Sequence, residues 1–372
     1  MIYLDYQATT PLAPEAFEAM VPLLRDQFAN PHSAHRPGRA VAAEVEAARE
    51  RIMAAMGLNH GRLIFTSGAT EALNIAIIGG ARAAREADPR RTKVIAPETE
   101  HAAVRDTVLA LASEGFETKL LPVDGEGLVD QETAGAAIDG RTALVAAMLV
   151  NNEIGVIQPI DQLAVMAHEV GARFLCDAVQ GFGRTAMPRE ADMIAISAHK
   201  AHGPKGIGAL WLRDGVSLRP IMQGGGQEGG IRPGTLSPAL CAGFGAAARL
   251  IDERRAEDAA HVERLWIMAR RLFERWTVNG SIAHRYHGNL NIRRDGLDAA
   301  RLLSECRTLA ISLGSACASG SGRPSHVLQA MGLSDKQARG SVRIGFGRYT
   351  TPTELEDAAR MMEAAAAMQG LS

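Results

Sequence analysis

Long apolar runs, a surplus of one charge and paired cysteines are what this 372-residue sequence lacks. No stretch reaches the roughly 18 consecutive apolar residues of a membrane-spanning helix. The opening "MIYLDYQATT" has no positive segment followed by a long apolar core, so no secretory leader is predicted. Lysine and arginine total 40, aspartate and glutamate 42, and the net charge is −2 with both signs dispersed. Such a chain offers no basic field to nucleic acid and no polybasic segment to a membrane surface, and it suits a small zwitterionic or uncharged partner. The four cysteines, Cys176, Cys241, Cys306 and Cys317, form no CxxC pair and are too sparse for a disulfide framework. A cytoplasmic protein is expected, in which any special cysteine works alone.

What is present is ample core material. Hydrophobic residues make up 47% of the chain, and its length suits two domains rather than one. Short apolar or β-branched runs ("RLIFT", "KVIAP", "TKLLPV", "TALVAAMLV", "RFLCDA", "DMIAIS", "GALWLR") alternate with stretches of helical spacing such as "GATEALNIAIIGGARAAREA", "HAAVRDTVLALASEG" and "DQLAVMAHEVGA". This alternation predicts an α/β fold around a mainly parallel sheet. Two amphipathic helices, "APEAFEAMVPLLRDQF" and "GRAVAAEVEAARERIMAAMG", precede the first strand of the sheet. After the Gly-rich "QGGGQEGGIRPGT", a helical region from Leu236 to Trp276 leads into a shorter mixture of strands and helices. The domain boundary is placed within that long helix, near residue 250.

Lys200 follows the strand "DMIAIS" and sits between two histidines in a Gly-rich turn. By position alone it reads as a solvated loop lysine. The alternative is a Schiff-base lysine, which needs a sheltered amine beside groups that can hold an aldehyde cofactor. Its company favours the second reading. Asp177 ends the strand "RFLCDA", where a carboxylate can pair with a protonated pyridine nitrogen, and Gln180 can bond a ring oxygen. In "FTSGATEALN" the N–H groups of Ala69 and Thr70, with the Thr70 hydroxyl, form a phosphate cradle at a helix start. Ordinary N-cap chemistry explains the same residues. His101, in "TEHAAV", can stack on a ring and relay protons, although a lone histidine before a helix is also a common cap. His199 and His202 are three apart but lie in a Gly-rich turn without a cysteine partner, so no metal site is expected.

Together these segments resemble the class V aminotransferase group of pyridoxal-phosphate enzymes and, more narrowly, the group I cysteine desulfurases. The resemblance runs through nearly the whole chain: "YLDYQATTPLAPEA", "FANPHSAHRPGR", "FTSGATEALN", "TEH", "VNNEIGVIQPI", "CDAVQ", "SAHKAHGPKGIGAL", "GGGQEGGIRPGT", "SLGSACASGSGRPSHVL" and "SVRIGFGRYTT". It implies the type I pyridoxal-phosphate (aspartate aminotransferase-like) fold, with a mainly parallel seven-stranded sheet in a large domain, residues 14–250. A small α+β domain would comprise residues 1–13 and 251–372, and the protein would be a homodimer. It also implies pyridoxal 5'-phosphate as cofactor and removal of sulfur from L-cysteine to give L-alanine and a persulfide on Cys317. The sulfur would pass to an acceptor or iron–sulfur scaffold protein.

Carried over by the resemblance, Lys200 is the Schiff-base lysine, Asp177 the pyridinium partner, Gln180 the phenolic-oxygen contact and His101 the stacking residue. Ala69, Thr70, Ser197 and His199 hold the phosphate, and Thr235 reaches the phosphate of the other subunit. Asn152 touches cofactor and substrate. Arg343 grips the substrate carboxylate with assistance from Asn30, a task suited to a bidentate guanidinium. By position alone Arg343 reads as a surface salt bridge on a strand.

Cys317 lies in a segment rich in Gly, Ser and Ala at about residues 313–325, which predicts a mobile loop, whereas Cys176, Cys241 and Cys306 fall in apolar or helical runs and read as packing. Where relatives commonly carry arginine, serine and threonine, this chain has Gly229, Pro233 and Ala318, and it ends soon after its last helix. These departures bear on docking of an acceptor more than on chemistry. Two other readings are a selenocysteine lyase or cysteine β-lyase on the same fold, which would not need Cys317, and a catalytically silent binding partner, against which Lys200, Asp177 and His101 stand.

Overall fold

The computed structural model describes residues 1–313 and 324–371. In chain order the first half holds β1 (Ile2–Tyr3), α1 (Pro14–Arg25), α2 (Arg36–Met56), β2 (Arg62–Thr66), α3 (Ala69–Ala87), β3 (Lys93–Pro97), α4 (Ala102–Ala110), β4 (Glu117–Leu121), α5 (Gln131–Ala137), β5 (Thr142–Met148), α6 (Ile160–Glu169) and β6 (Arg173–Asp177). There follow β7 (Met193–Ser197), β8 (Gly208–Leu212), α7 (Pro238–Leu272), β9 (Thr277–Val278), β10 (Asn289–Arg293), α8 (Ala299–Glu305), β11 (Leu309–Ala310), β12 (Ser312–Leu313), α9 (His326–Ala330), α10 (Asp335–Arg339), β13 (Ser341–Gly345) and α11 (Pro352–Met368).

All seven predicted strands join one sheet in the order β2-β8-β7-β6-β5-β3-β4. Only β8 runs against its neighbours, and the remaining pairs are parallel. Continuous apolar strands suit this place, because β5, β7 and β8 are buried at every position and helices cover both faces. One face packs Leu73 and Ile77 of α3 and Val104 and Val108 of α4, while the other packs Ile52 of α2, Leu163 of α6 and Phe244 of α7. Local chemistry sets several boundaries. His35 caps α2 by accepting the Gly38 N–H, and α2 ends at Gly57 in the left-handed region (φ 72°). The helix expected over 101–115 is α4 followed by a tighter single turn, Leu111–Glu114, closed by Gly115 at φ 82°.

The 35-residue α7 joins two cores. Its residues up to Ile251 pack against the large sheet, α1 and α2, whereas Val262, Leu265, Trp266 and Ala269 enter a separate cluster with Leu4, Leu290, Ile344 and Met362. That second core lies on an antiparallel sheet ordered β12-β13-β10-β9. The chain start belongs to it through the parallel pairing of β1 with β11, and then crosses to the large sheet, where Thr10 N–H donates to His199 O (2.9 Å) and Ala13 N–H to His202 O (2.9 Å). Gly345 makes the crossing possible, since a Cβ there would overlap Gln7 Oε1. Gln7, Ala8 and Thr9 are thereby laid along the cleft between the cores. No described helix is long and apolar enough to cross a membrane.

Candidate active site

A cavity of about 630 Å³ opens where β5, β6 and β7 end, the edge at which parallel α/β sheets gather ligands. Ala69, Thr70, His101, Asn152, Asp177, Gln180, Ser197, His199, Lys200 and Arg343 all line it. Residues from six separate stretches of sequence are thus collected around one space.

At one end is the start of α3. Its N-cap residue, Gly68, makes no side-chain capping bond, so the first-turn N–H groups at Ala69 and Thr70 face an anion site without competition. Ser197, the last residue of β7, and His199, in the turn after it, stand opposite. Burial, reinforced by Lys200, Lys205 and Arg184, pushes His199 down to about 4. It is therefore neutral at pH 7, with Nδ1 against the Thr9 hydroxyl at 3.1 Å.

The middle of the cavity holds Asp177, His101 and Lys200. Asp177 terminates β6, is buried, and accepts the Val179 N–H at 3.0 Å. Burial raises its pKa, and that hydrogen bond, His101 and Lys200 oppose the rise. A buried carboxylate held next to cationic groups fits the protonated nitrogen of a pyridine ring. His101 is both a cap and a wall: its Nδ1 accepts the Ala103 N–H at 3.1 Å, which fixes the imidazole at the start of α4. Lys200 is half-buried and not the freely solvated amine that its position suggested. Its Nζ donates to the carbonyls of Gln7 (2.5 Å) and Ala8 (2.8 Å).

At the other end Arg343 of β13 is only 1% exposed. The salt bridge read from its position exists, but inside the protein: Nη2 meets Asp5 Oδ1 at 2.7 Å and Nη1 donates to Asn152 O at 3.0 Å. Among the described residues its Nε has no hydrogen-bond partner, and the same holds for the buried Asn152 Oδ1 and Gln7 Oε1. Gln7 Oε1 packs against Gly345, but Arg343 and Asn152 line the cavity, and unsatisfied buried polar atoms on cavity-lining side chains indicate a polar ligand. These observations, with the uncapped helix and the buried carboxylate, fit pyridoxal phosphate.

Sequence reasoning assigned no role to Gln7, Thr9 or Lys205, which also line the cavity, or to Glu100. Their signal was the polar "YQATT" segment and the Gly-flanked lysine of "GPKGIG". Glu100 is fully buried beside this site, with Oε1 accepting the Met148 N–H (2.8 Å), and burial together with the charge of Asp177 raises it well above the carboxylate range. Two expected residues are not at the cavity of this chain. Asn30 is exposed, its side chain accepting the His32 N–H, and Thr235 is exposed after the turn at Gln227–Gly230. In that turn Gly229 has φ 65°, and a Cβ there would lie 2.7 Å from Arg62 Nη1. Cys317 and Ala318 lie outside the described residues. The other cysteines are buried, and burial pushes the Cys241 thiol up to about 12 and Cys176 well above its usual value.

A family model, "Aminotransferase class-V", matches residues 2–357. The chain belongs to the class-V aminotransferase family. "Cysteine desulfurase IscS" of Rickettsia africae is 39% identical over 371 residues, covering 97% of this chain and 90% of that protein. Among solved structures, a "NIFS-LIKE PROTEIN" superposes with a TM-score of 0.90 at 30% identity and 99% coverage of both chains. "SspA in complex with cysteine" superposes at 0.83 and 33% identity, covering 94% of this chain and 100% of that one. Within its family, the chain groups with the cysteine desulfurases.

Proposed function

We propose that this protein is a pyridoxal-phosphate-dependent cysteine desulfurase, which takes sulfur from L-cysteine, releases L-alanine and leaves a persulfide on Cys317. The convergence of Lys200, Asp177, His101 and the uncapped start of α3 on one cavity carries the reading. When bound, pyridoxal phosphate supplies an electrophilic aldehyde and an electron-withdrawing ring that acidifies the Cα–H of an attached amino acid. The residues divide the remaining work. The N–H groups of Ala69 and Thr70, with the Thr70 hydroxyl, Ser197 and His199, hold the phosphate; Asp177 holds the ring nitrogen protonated; Gln180 donates to the phenolic oxygen; Asn152 contacts ring and substrate.

Arg343 binds the substrate carboxylate, with Asp5 fixing its guanidinium. Lys200 carries the Cα proton as a base, a role for which partial burial beside other cations lowers the cost of losing its charge. His101, with its imidazole anchored through Nδ1, moves a proton to or from a thiol. Sulfur then passes from the substrate to the Cys317 thiolate: the C–S bond breaks, an S–S bond forms, and the carbon skeleton gains a proton to become alanine. A thiol reductant can discharge the persulfide as sulfide.

The reading extends to a homodimer in the cytoplasm that hands sulfur to an acceptor or iron–sulfur scaffold protein. The exposure of Thr235 supports the dimer, since it is available to a neighbouring subunit and does not reach its own cavity. Sulfide and alanine measured together from L-cysteine with a reductant test the route. Equal amounts, both abolished in Cys317→Ala, are expected. Undiminished production in the variant would establish a lyase in place of a desulfurase.

A further inference from the structure

Behind the cavity, Arg184 stands four residues past Gln180 and, among the described residues, gives four hydrogen bonds, all to uncharged oxygens. Its Nη1 donates to Gln180 Oε1 and to Gln180 O (3.4 Å), and its Nη2 to Tyr6 O (3.4 Å) and Lys200 O (2.8 Å). Its guanidinium carbon lies 5.3 Å from the ring centre of Tyr286. A cation placed among carbonyls, without a carboxylate among these partners, is an expensive arrangement if it only fills space.

The arrangement decides the orientation of one amide. Gln180 Nε2 donates to Gln7 O at 2.9 Å, and Lys200 Nζ donates to the same carbonyl. A guanidinium can only donate and a carbonyl can only accept, so a single orientation of the Gln180 amide satisfies both neighbours. Turning the amide by half would set its NH₂ against Arg184 and its oxygen against Gln7 O. In the orientation held by Arg184, Nε2 keeps a second N–H on a residue that lines the cavity.

We propose that Arg184 is a positioning residue: it locks the Gln180 amide with an N–H available to the phenolic oxygen of the cofactor and ties the backbone of Lys200 to the same fork. The inference rests on the reading that pyridoxal phosphate fills the cavity. A donor on the phenolic oxygen favours its anionic form and loosens the adjacent proton that the visible absorption band of the cofactor reports. With Arg184 gone, the amide is released and the donor is lost for much of the time.

The test is a pH titration of that band in purified, cofactor-loaded protein for wild type, Arg184→Met, Gln180→Ala and the double variant. Arg184→Met is expected to raise the midpoint by about one unit in the wild-type background and to leave it unchanged when Gln180 is already alanine. An unshifted midpoint, or an equal shift in both backgrounds, overturns the proposal, because Arg184 would then act on charge alone or not at all. Should Arg184→Met fail to fold, Arg184→Lys serves in the same comparison, since an amine has no fork with which to hold both Gln180 and Lys200; a smaller rise confined to the Gln180 background is expected, and its absence overturns the proposal. A wild-type protein that shows no band on loading fails the cofactor reading itself, whereas a band without a shift fails only the role of Arg184.

Discussion

The two ends of the cavity are assembled from different distances along the chain. The proposed phosphate end uses groups that follow directly from strand ends: α3 begins three residues after β2, and Ser197 and His199 straddle the end of β7. The proposed carboxylate end is made by an arginine and an aspartate 338 positions apart, brought together only because β1 joins the second core and the next residues run past Gly345. The first end depends on local chemistry that any βα turn can supply, and the second on the packing of the chain start against its last strand. Damage at the two ends should therefore differ in kind.

Between them lies Lys200, whose loss should have the largest effect. Lys200→Ala is expected to cut alanine formation by about 10³-fold or more, as loss of a general base and cofactor anchor demands. Stopped-assay alanine measurement checks it, and turnover within tenfold of wild type would remove Lys200 from the chemistry. Next comes the tertiary end. Arg343→Lys keeps the charge and gives up the planar fork, so KM for L-cysteine should rise about ten- to a hundredfold while kcat changes less. A fall in kcat with constant KM would place Arg343 elsewhere in the mechanism and remove the distinction between the two ends.

An effect on stability and not on turnover concerns Glu153, next to Asn152. It is buried and accepts the Ser325 hydroxyl, and burial pushes it up to about 7 against the opposing pull of Ser325, Arg343 and His101. The folded state therefore holds a proton that the unfolded chain releases at the ordinary carboxylate value of 4.5. Stability contributed by that proton is intact below about pH 4.5 and is lost as pH rises toward 7, by at most on the order of 3 kcal/mol. Glu153→Gln should flatten this slope, as read by chemical denaturation at pH 5 and pH 8. An unchanged slope would assign the loss to other groups.

Legibility in the sequence follows the same division. The mainly parallel sheet, its seven strands and the places of Asp177, Lys200 and the start of α3 could be read directly, because strand ends and helix starts announce themselves by period and by Gly, Ser and Thr. His101 read as a cap, and it is one, but nothing local showed that the capping imidazole also walls the cavity. Arg343 read as a surface ion pair because its partner is at the far end of the chain. The part played by Gln7 and Ala8 was illegible for another reason: their contribution to Lys200 is made by backbone carbonyls, which carry no residue-type signature.

The sequence by itself determined the secondary structure, the layering of helices on a mostly parallel sheet and the kinds of group available for chemistry, since these follow from periodicity and side-chain type over a few residues. Only the tertiary structure decided which of those groups meet. Closing the chain start onto β13 buries Arg343 with Asp5, lays the carbonyls of Gln7 and Ala8 against Lys200 and brings the Gln7 carbonyl to the Gln180 amide. Such contacts depend on loops closed over tens to hundreds of residues, whose geometry is fixed by burial of whole cores and not by any local pattern.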